Sequence, residues 1–372
     1  MGPRPGPGVF GPALSGPGLL AGPFQPELSE AFLKASLKRA RHFLEFLFTL
    51  ALGVAVRALN PRQAWALACF LGRLGHALGV AGRVTRENLE RAFPDRSPAE
   101  RRRIARGAME HFMIGMFDIL RMPLIDPREL VAQFEFEGLD VLDESLKRGK
   151  GGVCLSAHFG NWEWMGAALV ARGYPLSFLI GTQSNPWVDR LFNSYRQHCD
   201  INLIPLKNVR EVLSVLKRNQ FIALLGDQDG DKWGLFTRFF GRTASTFQGA
   251  AVFARRTGAD LLFGVPVRLG PEKHRMRILR LPEPPEGLSE EKDLLFRLQA
   301  YSDALEAAIR ENPEQWWWMH KRWEARPEHR LVEAERARAL QGEITFDLEE
   351  QAWKLAATGE RFQPTPVKKG HD

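Results

Sequence analysis

The chain predicts an α/β protein, a mainly parallel sheet flanked by helices, behind a helical N-terminal region that associates with a membrane. Three observations carry this. From Phe134 onward short apolar runs alternate with helical stretches, the order that builds crossover connections and parallel strands. Before that point, residues 30–125 read as a succession of apolar and amphipathic helices. The same region is strongly basic: between Lys34 and Arg106 there are 15 Lys/Arg against 5 Asp/Glu, a surplus larger than the net +7 of all 372 residues.

Residues 1–29 are set apart as a disordered terminus, since the first 25 are rich in Gly and Pro and nearly uncharged. They lack the basic segment followed by an apolar core that marks a secretory signal. Lys34, Lys38, Arg39 and Arg41 then precede the apolar run 43–56, fourteen residues long and including Glu45. About 20 apolar residues are needed to span a hydrocarbon core. The run is therefore expected to lie in the interface, with a tilted single pass as the alternative. Residues 61–80 and 84–93 read as further helices. Ser97-Pro-Ala-Glu100 opens another, with a capping box and Pro at the first helical position.

Strands are expected over 134–137, 152–157, 176–180, 202–205, 221–225 and 260–268, with an edge strand over 275–281. Helices fall between them near 138–149, 161–172, 186–199, 208–219 and 245–257, and a long one closes the core over 292–311. The α/β core is thereby placed at 126–330. Residues 331–372 form an appendage with one amphipathic helix near 345–357.

The residues with catalytic potential sit where the strand 152–157 meets its helix. In Leu155-Ser-Ala-His-Phe-Gly-Asn-Trp-Glu-Trp164, His158 can act as a general base and Glu163 as an acidic partner that orients its ring. Gly160 and Asn161 break the strand. Asn161 is a good N-cap, and Glu163 falls in the first turn, where the helix dipole favours a carboxylate. Arg196, near the end of the helix opened by Asn185-Pro186, offers a fixed charge and a fork of donors for a phosphate or carboxylate. Arg190 competes with it in register. Asp227 stands at the carboxyl end of the strand 221–225, in a loop with Asp229 and Asp231 that lacks the closing glutamate of an EF-hand. No metal is expected there.

Trp316, Trp317, Trp318 and Trp323, beside His320, Lys321 and Arg322, are read as closing the core, with a membrane-facing surface as the alternative. Cys69, Cys154 and Cys199 have no zinc-type spacing and fit a reducing compartment. Nucleic acid is set aside: the basic residues alternate with apolar ones at helical spacing, and no zinc-finger or RNA-recognition signature occurs. An anionic membrane, an acidic carrier protein or a phosphorylated lipid remains as partner.

Ala157-His-Phe-Gly-Asn-Trp-Glu163 resembles the H-x4-D/E block of the late acyltransferases of lipid A biosynthesis, a branch of the lysophospholipid acyltransferase superfamily. Three more stretches are similar to that family's blocks, in the same order. They are Arg83-Val-Thr-Arg-Glu-Asn-Leu-Glu-Arg-Ala-Phe-Pro94, Leu225-Gly-Asp-Gln-Asp-Gly-Asp-Lys232 with Phe239-Phe-Gly-Arg-Thr-Ala-Ser-Thr246, and Glu314-Gln-Trp-Trp-Trp-Met-His-Lys-Arg-Trp-Glu-Ala-Arg-Pro327. The resemblance implies a glycerolipid-acyltransferase-like fold at the cytoplasmic face of the bacterial inner membrane. It implies transfer of a fatty acyl chain from an acyl-carrier-protein thioester to a hydroxyl of a Kdo-bearing lipid A precursor, an anionic glycolipid, with no bound cofactor. It also implies His158 and Glu163 as the catalytic pair, with Asn161, Arg196 and Asp227 binding substrate or supporting the site. The alternatives are an acyl-CoA-dependent enzyme acting on another membrane glycolipid or an amino-acid lipid, and a non-catalytic lipid-binding protein of the same fold.

Overall fold

The computed structural model describes residues 26–365, with side chains from Lys34. The Gly/Pro-rich first 25 residues lie outside the described residues. Five helices open the described chain: α1 (Pro26–Arg57), α2 (Pro61–Ala77), α3 (Gly82–Ala92), α4 (Pro98–Arg121) and the short α5 (Pro127–Val131). Helix α1 extends well upstream of the run 43–56 and takes in residues 26–29, because the Leu, Ala, Lys, Arg and Glu before Phe43 are good helix formers. Ser97 and Glu100 cap α4 reciprocally, as expected. Helices α2 and α4 pack closely where Gly72 meets Glu110; a Cβ on Gly72 would lie 2.6 Å from the Glu110 Cα.

Among the described residues no single helix is long and apolar enough to cross a membrane; α2 and α3 together reach that length and composition but are bent by 88°. Leu37, Phe43, Leu44, Leu47, Phe48 and Val54 of α1 nevertheless stand exposed, as do Leu67, Phe70 and Leu74 of α2.

Next come β1 (Phe134–Glu137), α6 (Leu139–Lys147), β2 (Gly152–Ser156), α7 (Trp162–Ala171), β3 (Leu176–Ile180), α8 (Pro186–His198), β4 (Asn202–Pro205), α9 (Val209–Lys217) and β5 (Phe221–Leu225). A hairpin of β6 (Leu235–Phe239) and β7 (Arg242–Thr246) follows, then α10 (Gly249–Thr257), β8 (Asp260–Gly270), β9 (Lys273–Arg280) and α11 (Glu290–Glu311). The described residues close with α12 (Glu333–Leu340), β10 (Ile344–Asp347), β11 (Ala352–Leu355) and β12 (Arg361–Phe362).

Seven strands form the main sheet in the order β1-β9-β8-β2-β5-β3-β4. The five from β8 to β4 run parallel, whereas β9 is antiparallel to β8 and carries β1 alongside. Both faces of the sheet are covered. Val153 and Leu155 of β2 join the core under α9, α10 and α11, while Cys154 between them packs with α7 and α8. Burial on both faces is why the strand reads as an unbroken apolar run.

Three expectations need correction. The strand expected at an edge over 275–281 lies inside the sheet, because its hairpin with β8 leaves its other side to pair with β1. The helix expected from 245 begins at Gly249, since Thr243 to Thr246 pair with β6 in a hairpin around Phe240-Gly241. The appendage has no helix over 345–357. There Asp347 accepts from the amides of Glu349 and Glu350 at 2.9 Å, a turn that folds Ile344–Asp347 back onto Ala352–Leu355 as strands, and the helix falls earlier.

Candidate active site

The main sheet's register brings the site together. Ser156 of β2 stands opposite Leu225 of β5, so the residues two positions beyond, His158 and Asp227, meet at the carboxyl ends of neighbouring parallel strands. Open α/β sheets put their ligands at such ends. The His158 ring Nδ1 lies 2.9 Å from Asp227 Oδ1, and the His158 backbone N–H donates to Oδ2 at 2.9 Å. Trp316 Nε1–H donates to the same Oδ2 at 2.8 Å. Asp227 is fully buried, whereas the His158 side chain keeps 16 % exposure. Burial alone would raise the Asp227 carboxyl, but the charge and hydrogen bonds of His158, with His320 beyond, hold it well below the usual carboxylate range. A carboxylate on Nδ1 fixes the tautomer that leaves Nε2 able to accept a proton.

The turn that presents His158 depends on glycine. Gly160 has φ +54°, and a Cβ there would collide with the Pro266 carbonyl oxygen. Asn161 then caps α7, accepting from the Trp164 amide at 3.0 Å as expected, while its side-chain amide donates to Asp118 of α4 at 2.8 Å. Arg268 of β8 closes onto the same buried Asp118 oxygen. Trp162 and Trp317 flank the imidazole, their ring centroids 5.0 and 4.9 Å from it.

Glu163 does not make the contact expected of it. Its carboxylate, in the first turn of α7, is engaged by Arg196 of α8, with Nη2 at 2.6 Å from Oε1 and Nε at 3.0 Å from Oε2. A guanidinium offers paired donors that satisfy a buried carboxylate better than one ring nitrogen can, and the ring finds Asp227 instead. Arg196 also donates to Asn193 at 2.8 Å, whereas Arg190 is exposed. Helix α8 is in turn tied to α1: Asn185 donates to the His42 carbonyl at 2.7 Å and to Glu45 at 3.0 Å, and Arg57 meets the Tyr195 hydroxyl.

Ser156 Oγ has no hydrogen-bond partner among the described residues, so no Ser–His bond forms. Burial pushes the Cys154 thiol up to about 12, which keeps it protonated and inert. Among the described residues no group of three or more His, Cys, Asp or Glu is placed to hold a metal ion; Asp229 instead accepts from the amides of Asp231 and Ala325. Trp316, Trp318 and Trp323 are buried, which fits core closure. Sequence reasoning missed the Trp316 bond to Asp227 and the Asp118–Arg268 pair. A lone acid in the apolar stretch Met116-Phe-Asp-Ile-Leu120 was the one available signal.

Residues 32–325 match the model of the bacterial lipid A biosynthesis acyltransferases. The chain belongs to that family. A lipid A biosynthesis lauroyltransferase of Escherichia coli K12 is 25 % identical over 306 residues, covering 82 % of this chain and 97 % of the relative. A palmitoleoyltransferase of lipid A biosynthesis from the same organism is 27 % identical over 307 residues, 78 % of this chain and 96 % of the relative. A phosphatidylinositol mannoside acyltransferase of Mycobacterium tuberculosis H37Rv is 32 % identical over 152 residues, 39 % of this chain and 48 % of the relative. In this chain the family match takes in His158, Asn161, Glu163, Arg196, Asp227 and Trp316, and it ends before α12 and β10–β12.

Proposed function

We propose that the protein transfers a fatty acyl chain from a carrier-protein thioester to a hydroxyl of a lipid A precursor, with His158 as general base and Asp227 as the carboxylate that orients it. The observation that carries this is the His158–Asp227 pair at the ends of β2 and β5, with its ring partly open to solvent. As the acceptor oxygen bonds to the thioester carbonyl carbon, its proton passes to His158 Nε2. The C–S bond then breaks and the proton moves on to the leaving thiolate. The first-turn amides of α7 other than that of Trp164, which the Asn161 cap takes, stabilise the oxyanion. No acyl-enzyme forms, because neither Ser156 nor Cys154 is activated. Glu163 and Arg196 support the site as a pair.

The basic surplus between Lys34 and Arg106 supports an acidic acyl carrier protein as donor and an anionic glycolipid as acceptor. The exposed apolar side chains of α1 and α2, with Lys34, Lys38, Arg39 and Arg41 on α1, support docking to the cytoplasmic face of the inner membrane. The mycobacterial relative supports a second reading, in which the same chemistry acylates another glycolipid. Mass spectrometry of the lipids made when the gene is expressed or deleted separates the two acceptors.

His158→Ala should lower the transfer rate by on the order of 10²–10⁴ while circular dichroism stays unchanged. Near-normal turnover by that variant would remove His158 as the base.

A further inference from the structure

Four tryptophans crowd the segment after α11, and closing the core explains their bulk but not where their N–H groups go. Those of Trp317 and Trp323 are buried without a partner among the described residues, and that of Trp318 turns back to the Pro313 carbonyl at 2.7 Å. Trp316 differs. It is 1 % exposed, and its indole N–H ends 2.8 Å from the carboxylate that holds His158.

The same segment grips both sides of the pair through its backbone. Trp316 forms an antiparallel bridge with Phe159, Trp317 N–H donates to the His158 carbonyl at 2.9 Å, and Gly160 N–H donates to the Gln315 carbonyl at 2.9 Å. On the other side His320 Nε2 lies 3.0 Å from the Asp227 carbonyl oxygen. Gln315 anchors the segment to β8, accepting from the Arg268 amide at 2.8 Å and donating to its carbonyl at 2.9 Å. Trp316 is therefore held at a fixed distance from both strands that carry the pair.

A fully buried carboxylate is stable as a charge only when donors satisfy its oxygens. Asp227 Oδ1 has the His158 ring, while Oδ2 has the His158 amide and the Trp316 indole. Without the indole, Oδ2 keeps one donor, the backbone amide of His158, and no side chain from outside the pair holds the carboxylate. We propose that Trp316 is a positioning residue for acyl transfer: its indole N–H fixes the Asp227 carboxylate in the orientation that meets His158. This rests on the reading of His158 as the base.

Trp316→Phe keeps a large ring in the core and removes the N–H. It should lower kcat roughly tenfold to a hundredfold, the range for a hydrogen bond to a charged group, with KM changed by no more than about twofold. In an Asp227→Ala background, which removes the indole's acceptor, the same substitution should change kcat by less than about twofold, since its route of action is already gone. Equal losses in both backgrounds would assign Trp316 to packing alone and overturn the proposal. So would a wild-type kcat for Trp316→Phe beside inactive His158→Ala. Normal activity in His158→Ala would instead sink the base itself, so the two failures are distinguishable. Should Trp316→Phe not fold, protein labelled with ¹⁵N-tryptophan gives a second measure. One slowly exchanging indole proton of the wild type should lose its protection in Asp227→Ala, which removes the acceptor, and unchanged exchange at all ten indoles overturns the assignment.

Discussion

The first turn of α7 and the loop after β5 each carry one buried carboxylate, Glu163 and Asp227, and the two are held in different ways. Glu163 is five residues from His158 in sequence yet pairs with Arg196 of α8. Asp227 is sixty-nine residues away and meets the ring directly. Helix geometry explains the first: a first-turn side chain of α7 is presented to the neighbouring helix, which supplies a matching fork of donors. Sheet register explains the second, because parallel neighbours bring equivalent positions past their ends side by side. Proximity in sequence marks the site, whereas strand pairing selects the partner.

The contrast is broken most severely by Asp227→Asn, which keeps the shape and removes the charge. It should cost on the order of 10³–10⁴ in kcat, as loss of the orienting carboxylate does in a comparable triad, with little change in fold. Steady-state transfer assays of Asp227→Asn beside Glu163→Gln decide it, and the larger loss in Glu163→Gln would reverse the two roles.

The Glu163 side should answer in stability. Arg196→Met strands a carboxylate that is 4 % exposed, and breaking a buried pair from one side costs about 3–5 kcal/mol. Replacing both partners by apolar residues should recover most of that. Urea titrations measure both variants; an unaltered midpoint for Arg196→Met contradicts a buried pair.

Acid separates the regions further, with a smaller effect. Burial, helped by Arg268, pushes His274 of β9 down to about 2, so the folded ring stays neutral where an unfolded one, near 6.5, takes a proton. The stability from this neutral ring is present above about pH 6.5 and falls as pH drops below it, by about 1.4 kcal/mol per pH unit for each proton. Asp227, held low, keeps its contribution until pH falls below about 4. Thermal unfolding between pH 6.5 and 4 should therefore be less pH-dependent in His274→Phe, which retains the stack on Phe134. An unchanged slope removes His274 as its source.

Much of this was legible in the sequence because it is local. Asn161 and Ser97 announce their caps, and the apolar runs of β2 and β5 announce buried parallel strands. The family resemblance located His158, Glu163, Arg196 and Asp227, but the sequence paired His158 with the nearer carboxylate, Glu163, where the structure pairs it with Asp227. The rest is non-local: the partner of Glu163 lies 33 residues away on α8, the Trp316 bond spans 89 residues, and the place of β9 depends on its pairing with β1. The appendage misled for a different reason. Residues 345–357 have helical amphipathicity, but Asp347 binding two following amides turns the chain first.

The central claim is that Asp227, and not Glu163, holds His158 with its proton on Nδ1 and Nε2 ready to receive another. Nitrogen-15 spectra of histidine-labelled protein at neutral pH read that tautomer directly. The account predicts an Nδ1–H signal for His158, shifted downfield by its carboxylate, that persists in Glu163→Gln and is lost in Asp227→Asn. A signal lost in Glu163→Gln and retained in Asp227→Asn would contradict it.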